Sequence, residues 1–300
     1  MTASGYILFD KPAGQTSFTS LNLFKKTFHG SRVGHTGTLD SFATGLLVVM
    51  AGSYSRLASW FVGLDKVYEA EIRFGVETDT LDPNGAITRS GNVPSLEALE
   101  RVIPAFIGTI QQVPPEYSAI HVAGERASDL ARKGESFKLL PRKIEIFSLE
   151  IVSFSGDTAK IVVHCSSGTY IRALARDIAA ACGSCAYVSG LRRTKVGPFS
   201  VADACNSTDQ GLPGHLRQLN PENVAPLGLD IGFVPKTLES AFSNGIPLAL
   251  GGIKIQTGLE SPSLAREIAV FSEERKLLGI VERDSDRLNY KIVIPPKGGR

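Results

Sequence analysis

Gly34-His35-Thr36-Gly37-Thr38-Leu39-Asp40-Ser41-Phe42-Ala43-Thr44-Gly45-Leu46-Leu47 is the stretch on which the reading of this chain turns. Gly34 and Gly37 let the backbone fold tightly and approach a ligand closely. Asp40 follows at the end of this loop, and Leu46 to Met50 reads as a buried strand just beyond it. The carboxylate is therefore held between a hinge and a rigid element. Upstream, the charge is one-sided. From Lys11 to Leu39 the chain carries Lys11, Lys25, Lys26, Arg32 and two histidines, with no Asp or Glu. Such a surface suits an anionic backbone, with Asp40 facing the reacting group. The plain alternative is that Asp40 caps a turn, and loop composition does not decide between the two.

Working outward, Tyr6-Ile7-Leu8-Phe9 reads as a short strand stopped by Lys11-Pro12 and Gly14. Thr16 or Ser17 caps a helix whose apolar residues are Phe18, Leu21, Phe24 and Phe28. Gly30 to Gly45 reads as a structured loop. Val67 to Phe74 alternates, with Tyr68, Ala70, Ile72 and Phe74 on one face and Glu69, Glu71 and Arg73 on the other. Ser95 opens a helix carrying Leu96, Leu99, Ile103 and Phe106. Strands follow at Lys143–Phe154 and Ala159–Cys165. A helix from about Thr169 turns Ile171, Leu174, Ile178 and Ala181 inward. These elements are mixed rather than strictly alternating, which predicts an α+β fold: a mixed, largely antiparallel sheet with flanking helices. Asn206 to Gly228 reads as a linker. Beyond Phe233, short strands at Gly252–Gln256, Glu267–Phe271, Leu277–Glu282 and Leu288–Ile294 predict a small β-rich appendage.

Composition sets the outer limits. Three hundred residues with 43% hydrophobic content allow one large domain, or one large and one small. A net charge of +2 excludes a protein that coats nucleic acid indiscriminately, so RNA contact must come from local patches. The N-terminus lacks the basic start and apolar core of a signal peptide. The longest apolar run, Phe42 to Gly52, is roughly half the ~20 residues needed to span a bilayer. The expectation is a soluble, cytoplasmic protein in a reducing compartment, without membrane contact. Cys182-Gly183-Ser184-Cys185 has no second pair or histidine at zinc-finger distance, so no metal is expected. The chain has no P-loop, no G-x-G-x-x-G after a strand and no H-E-x-x-H, which leaves no cofactor site.

Further candidates each carry a plain alternative. Tyr68 offers an aromatic face on a rigid strand, where an extruded base stacks, or is a core tyrosine. Arg172 lies in the first turn of its helix, where a cation opposes the dipole, so it either has a carboxylate partner or is a surface arginine. Leu191-Arg192-Arg193-Thr194-Lys195 is a phosphate track or a solvated face. His121 to Lys143 holds six Lys or Arg against three acids and is bounded by prolines, as a basic insertion gripping RNA would be.

Taken in order, these segments resemble one family, the bacterial TruB-type tRNA pseudouridine-55 synthases. The resemblance rests on Asp10–Ser17, Gly34–Leu47, Lys66–Ala70, Thr78–Gly85, Gln112–Ala119, Gly168–Arg172 and Leu191–Pro198, spread in order over about two-thirds of the chain. It departs at Ser41-Phe42, where the family usually has Pro-Leu, and at His121 and Ser128 in the insertion. The resemblance implies a pseudouridine synthase catalytic domain over residues 1–235 with a thumb insertion near 121–141. A small PUA-like RNA-binding domain would cover 236–300. It places Asp40 on the catalytic aspartate, Tyr68 on the tyrosine that stacks on the target base, Arg172 on the arginine paired with the aspartate and Leu191 on the wall of the uracil pocket. His35 falls on the residue that replaces the extruded base. The expected RNA contacts are Lys11, Pro12, His35, Thr36, Gly37, Thr38, Arg132, Lys133, Arg142, Lys143, Arg192, Arg193 and Lys195.

The implied reaction breaks the N1–C1′ bond of a uridine in the tRNA T-arm, turns the uracil and rejoins it through C5. Nothing is oxidised and nothing leaves, so neither cofactor nor metal is required. Glycosidases need two carboxylates because water must be activated and a poor leaving group protonated. Here uracil delocalises charge onto its own carbonyl oxygens, and one carboxylate suffices. A monomer acting without guide RNA or protein partner is expected. The rivals are a non-catalytic RNA-binding module, a guide-RNA-dependent relative with the same core, and a hydrolase, which would want a second acid or base.

Overall fold

The computed structural model describes residues 3–208, 211–256, 267–284 and 287–295. The chain opens with β1 (Gly5–Lys11), α1 (Ser17–Thr27), β2 (Val33–His35), β3 (Thr44–Ala51) and the short α2 (Ala58–Val62). Its middle runs through β4 (Lys66–Phe74), β5 (Val76–Thr78), β6 (Ile87–Ser90), α3 (Leu96–Val102), β7 (Gly108–Gln112), β8 (His121–Val122) and β9 (Glu125–Arg126). Next come α4 (Ala127–Arg132), β10 (Arg142–Ser155), β11 (Thr158–Cys165), α5 (Ile171–Ala181) and β12 (Ala186–Val196). The C-terminal part holds β13 (Phe199–Ser200), α6 (Pro221–Val224), β14 (Asp230–Phe233), α7 (Lys236–Ser243), β15 (Lys254–Gln256), β16 (Glu267–Phe271), β17 (Leu277–Asp284) and β18 (Arg287–Val293).

Two compact units result. One comprises Asp40–Gly45 and Asp65–Lys195, the other Met1–Leu39, Leu46–Leu64 and Val196–Arg300. In the former, strands lie in the order β12-β4-β11-β10-β7. β4 with β11, β11 with β10, and β10 with β7 are antiparallel. The beginning of β3 joins β12 in parallel, Thr44 opposite Arg192 and Gly45 opposite Arg193, which makes the sheet mixed as expected. β4 keeps the expected alternation: Tyr68, Ala70, Ile72 and Phe74 are buried, while Glu69 and Arg73 are exposed. Against this sheet α5 supplies Ile171, Leu174 and Ile178 to the interior. Ala181, expected inward, ends the helix in solvent.

In the other unit, β3 is buried from Leu46 to Ala51, the unbroken pattern of a strand covered on both faces. Thr16 caps α1 by accepting the Thr19 N–H. Ser17, the alternative cap, instead holds Leu39: its hydroxyl donates to the Leu39 carbonyl at 3.0 Å and accepts the Leu39 N–H at 2.8 Å. Leu21, Phe24 and Phe28 pack with Ile7, Phe9, Leu47 and Val49, but Phe18 points out and is 66% exposed. The stretch expected to be a linker is no free tether. Cys205 and Arg217 bridge to β1, and the Leu219 N–H donates to the Tyr54 hydroxyl at 3.0 Å. The C-terminal strands form a sheet in the order β15-β14-β16-β17-β18, whose first strand, Asp230–Phe233, precedes the expected appendage.

Candidate active site

The site grows from a loop pinned at both ends. Ala43 donates its N–H to the Asp40 carbonyl at 3.2 Å, closing a tight turn. Gly45 then has φ +105°, and a Cβ there would lie 2.3 Å from the Arg193 carbonyl oxygen. Only glycine permits both the left-handed backbone and this approach of two strands. Asp40 is thus carried at a fixed height above the start of β3.

Arg172, in the first turn of α5, grips Asp40 with a two-pronged fork. Its Nε lies 2.8 Å from one carboxylate oxygen and its Nη2 3.0 Å from the other. The remaining donors go to the Thr80 carbonyl at 2.7 Å, the Tyr117 carbonyl at 2.9 Å and towards Asp82 at 3.7 Å. A guanidinium has five N–H groups, and four of them are engaged at 3.0 Å or less. The arginine side chain is only 4% exposed, whereas that of Asp40 is 35% exposed. One face of a rigidly held carboxylate is therefore open.

The partners of Arg172 are themselves fixed. Asp82 is buried and accepts from the Thr80 hydroxyl at 2.8 Å and the Asn84 N–H at 2.9 Å. Leu81 between them has φ +59°, an unfavourable backbone for a residue with a side chain, and its carbonyl takes the Val188 N–H. At the start of α5 no side chain caps the helix from within. Gln112 does so from β7, its amide oxygen accepting the Tyr170 N–H at 2.9 Å and its amide nitrogen donating to the Tyr170 carbonyl at 3.1 Å. The dipole-opposed arginine is accounted for by two carboxylates and two carbonyls. Asp82 and Gln112 were not singled out from sequence, although both lie in motif segments quoted above.

Tyr68 projects from β4 beside this group and is 8% exposed. Burial pushes its hydroxyl pKa up, the Arg193 guanidinium, hydrogen-bonded to it, pulls it back in part, and the charge of Asp40 adds to the rise. Arg193 is 1% exposed. Nearby Lys66 is buried and its amine is pushed down to about 8, by burial first and by Arg193 second. Leu191 is half-buried on β12, next to Arg192, which pairs with Thr44 and donates to its hydroxyl at 3.3 Å.

The expected RNA contacts divide by exposure. Thr38, Arg132, Lys133, Arg142, Lys143 and Lys195 are exposed, while Pro12, His35, Gly37 and Arg192 are half-buried. Lys11, Thr36 and Arg193 are interior. The Lys11 ammonium donates to the Pro12 and Gln15 carbonyls, each at 2.8 Å, and so closes its own loop. Thr36 gives its backbone N–H to Val48. Residues 121–132 form a β8–β9 hairpin followed by α4, and here Arg132 pairs with Asp129 and Lys133 with Glu125. Among the described residues no cluster of His, Cys, Asp or Glu could hold a metal, all four cysteines are free thiols, and no helix is long and apolar enough to cross a membrane.

Known proteins resemble this chain in sequence and in fold. The family described as TruB family pseudouridylate synthase (N terminal domain) matches residues 25–171. The chain is 46% identical over 204 residues to tRNA pseudouridine synthase B of Borreliella burgdorferi (strain ZS7), covering 67% of this chain and 72% of that protein. It is 37% identical over 295 residues to tRNA pseudouridine synthase B of Caulobacter vibrioides, covering 95% of this chain and 94% of that one. Among solved structures, an H/ACA RNP bound to a substrate RNA containing 2′-deoxyuridine superimposes with a TM-score of 0.71 at 21% identity, over 98% of this chain and 86% of its counterpart. At that identity the likeness is one of fold.

Proposed function

The chain belongs to the TruB family of pseudouridylate synthases, and from that premise we propose that it converts uridine 55 in the T-arm of tRNA to pseudouridine with Asp40 as the catalytic carboxylate. One observation carries the assignment of Asp40: a carboxylate held by both prongs of a buried guanidinium, with its own side chain 35% exposed. The fork fixes the orientation of the carboxylate.

The chemistry then follows from placement. Asp40 acts at the ribose, by attack at C1′ or by removal of the C2′ proton, as the N1–C1′ bond breaks. Tyr68 and Leu191 confine the detached uracil, so that it turns and presents C5 without escaping. The C5 proton is lost and N1 gains one, so the product is an isomer of the substrate. The buried hydroxyl of Tyr68 stays protonated near neutrality, which suits the ring to stacking rather than to a phenolate's work. Flipping the nucleotide costs a few kcal/mol of stacking. Insertion of His35 into the gap offsets part of it.

The C-terminal sheet is read as the PUA-like RNA-binding domain. Its support is the five-stranded sheet and one apolar face built on Val234, Phe242, Ile253, Val270 and Val281; the other face, with Ala269, Phe271 and Ile280, packs with Tyr6, Leu8 and Leu46. Action on tRNA is supported by 37% identity to tRNA pseudouridine synthase B of Caulobacter vibrioides along nearly the whole sequence, and action as a monomer in the cytoplasm, without guide RNA, is part of the same proposal. The test is incubation with unmodified tRNA followed by position-resolved pseudouridine mapping. Wild type should modify position 55 alone, and Asp40→Asn should bind tRNA normally yet form no product in a single turnover. Turnover by that variant within tenfold of wild type would refute the role of Asp40.

A further inference from the structure

α1 has an outer face that its position in the core does not explain. Phe18 should be inward by periodicity, yet Leu21, Phe24 and Phe28 already fill the space beneath the helix and Phe18 stands 66% exposed. Two turns on, Lys25 returns to the same face, its ammonium 4.3 Å from the centre of the Phe18 ring. Asn22, Lys26, His29 and Arg32 are exposed as well. No Asp or Glu occurs from Lys11 to Leu39, and among the described residues Lys25, Lys26 and Arg32 have no ion-pair partner. In the 121–141 segment, by comparison, two of the cations, Arg132 and Lys133, are paired with Asp129 and Glu125.

Uncompensated cations around a flat, exposed ring match a particular chemistry. Phosphates are drawn to the charges, and an unstacked base lies on the aromatic face, whose far side carries a cation. The helix is also no loose appendage. Ser17, its first residue, is doubly hydrogen-bonded to Leu39, which immediately precedes Asp40 in the chain. We propose that the outer face of α1, Phe18 with Lys25, Lys26 and Arg32, is a second RNA-contact surface. It seats a stretch of the substrate's phosphate backbone and one unstacked base on Phe18. The proposal rests on the reading of tRNA as substrate and adds to it a place where that RNA is held.

Equilibrium binding of unmodified tRNA to the full chain tests it, in an Asp40→Asn background where the RNA is not consumed. Phe18→Ala should raise Kd about fivefold or more, the effect of losing one stacked base, and Phe18→Trp should stay within about twofold of the parent. A neutral change at an exposed site alters neither the net charge nor the core, so long-range attraction and misfolding do not mimic this result. Lys25→Gln with Lys26→Gln should lower the slope of log K against log salt by roughly 1.5, as expected for two phosphate contacts. Affinity of Phe18→Ala within twofold of the parent, or an unchanged salt slope in the lysine variant, overturns the proposal. Absence of pseudouridine formation by wild type would instead defeat the proposed function, and the binding measurement registers that separately.

Discussion

Replacing Arg172 with lysine separates geometry from charge at the site. The positive charge survives, but a single ammonium replaces a fork that now spans both oxygens of Asp40 at 2.8 and 3.0 Å and two carbonyls at 2.7 and 2.9 Å. Lysine has three donors at one point and a shorter reach, so about two of these contacts are lost. Each hydrogen bond to a charged group contributes roughly 1.5–3 kcal/mol. Because Asp40 is 35% exposed and water can replace part of its loss, about 3 kcal/mol is expected in total. At roughly 2–4 °C per kcal/mol for a chain of this size, melting should fall by about 6–12 °C, leaving a folded protein at 25 °C. The carboxylate, free to swing by about an ångström, should then react about a hundredfold more slowly. Rapid-quench single-turnover assays with tritiated tRNA, alongside filter binding, measure both effects. A hundredfold loss of rate with Kd unchanged supports the fork. Retention of a third or more of the wild-type rate would show that charge alone positions Asp40, and the argument from geometry would fail.

Other outcomes follow from the same structure. Lys11→Met removes a buried ammonium that closes its own loop, so melting should drop by several degrees while the salt slope of tRNA binding stays as it was; a fall of about one in that slope would restore Lys11 as a phosphate contact. Gly45→Ala meets both a φ of +105° and a carbonyl 2.3 Å from the new Cβ, and should cost about 3 kcal/mol or more by chemical denaturation. Lys66 is pushed down to about 8 in the folded protein against about 10.5 unfolded, so the unfolded chain holds the extra proton between those values. Wild type should therefore gain stability as pH rises from about 8 to 10.5, whereas Lys66→Met should lack that gain; parallel profiles of melting against pH would contradict the burial of the amine.

The legible parts of this protein were those where a residue's type conflicts with its local setting. An arginine in the first turn of a helix invites a carboxylate, and Arg172 has two. The alternation of β4 announced a half-buried strand with Tyr68 on its inner face, because period two is a property of the backbone itself. Burial of charge was not legible. Composition records the charge of Lys11 and Arg193, not the carbonyls or the phenol that enclose them. Gln112 and Asp82 were invisible for a related reason. Their work is to hold backbone and guanidinium groups that are distant in sequence, and only tertiary contact brings those together. Phe18 failed in the other direction: helical spacing placed it inward, but three other side chains had already filled the space.

The buried guanidinium of Arg172 also ties reactivity to the completeness of folding. Arg172 joins Asp40, Thr80 and Tyr117 across separations of 132, 92 and 55 residues, and such distant closures come late because chain entropy opposes them. A nascent or partly denatured chain, with any one of those three segments undocked, would still offer its cations to RNA but would lack an aligned Asp40 carboxylate. Product formation is thus a stringent readout of native assembly, and misfolded copies would sequester transcripts without modifying them.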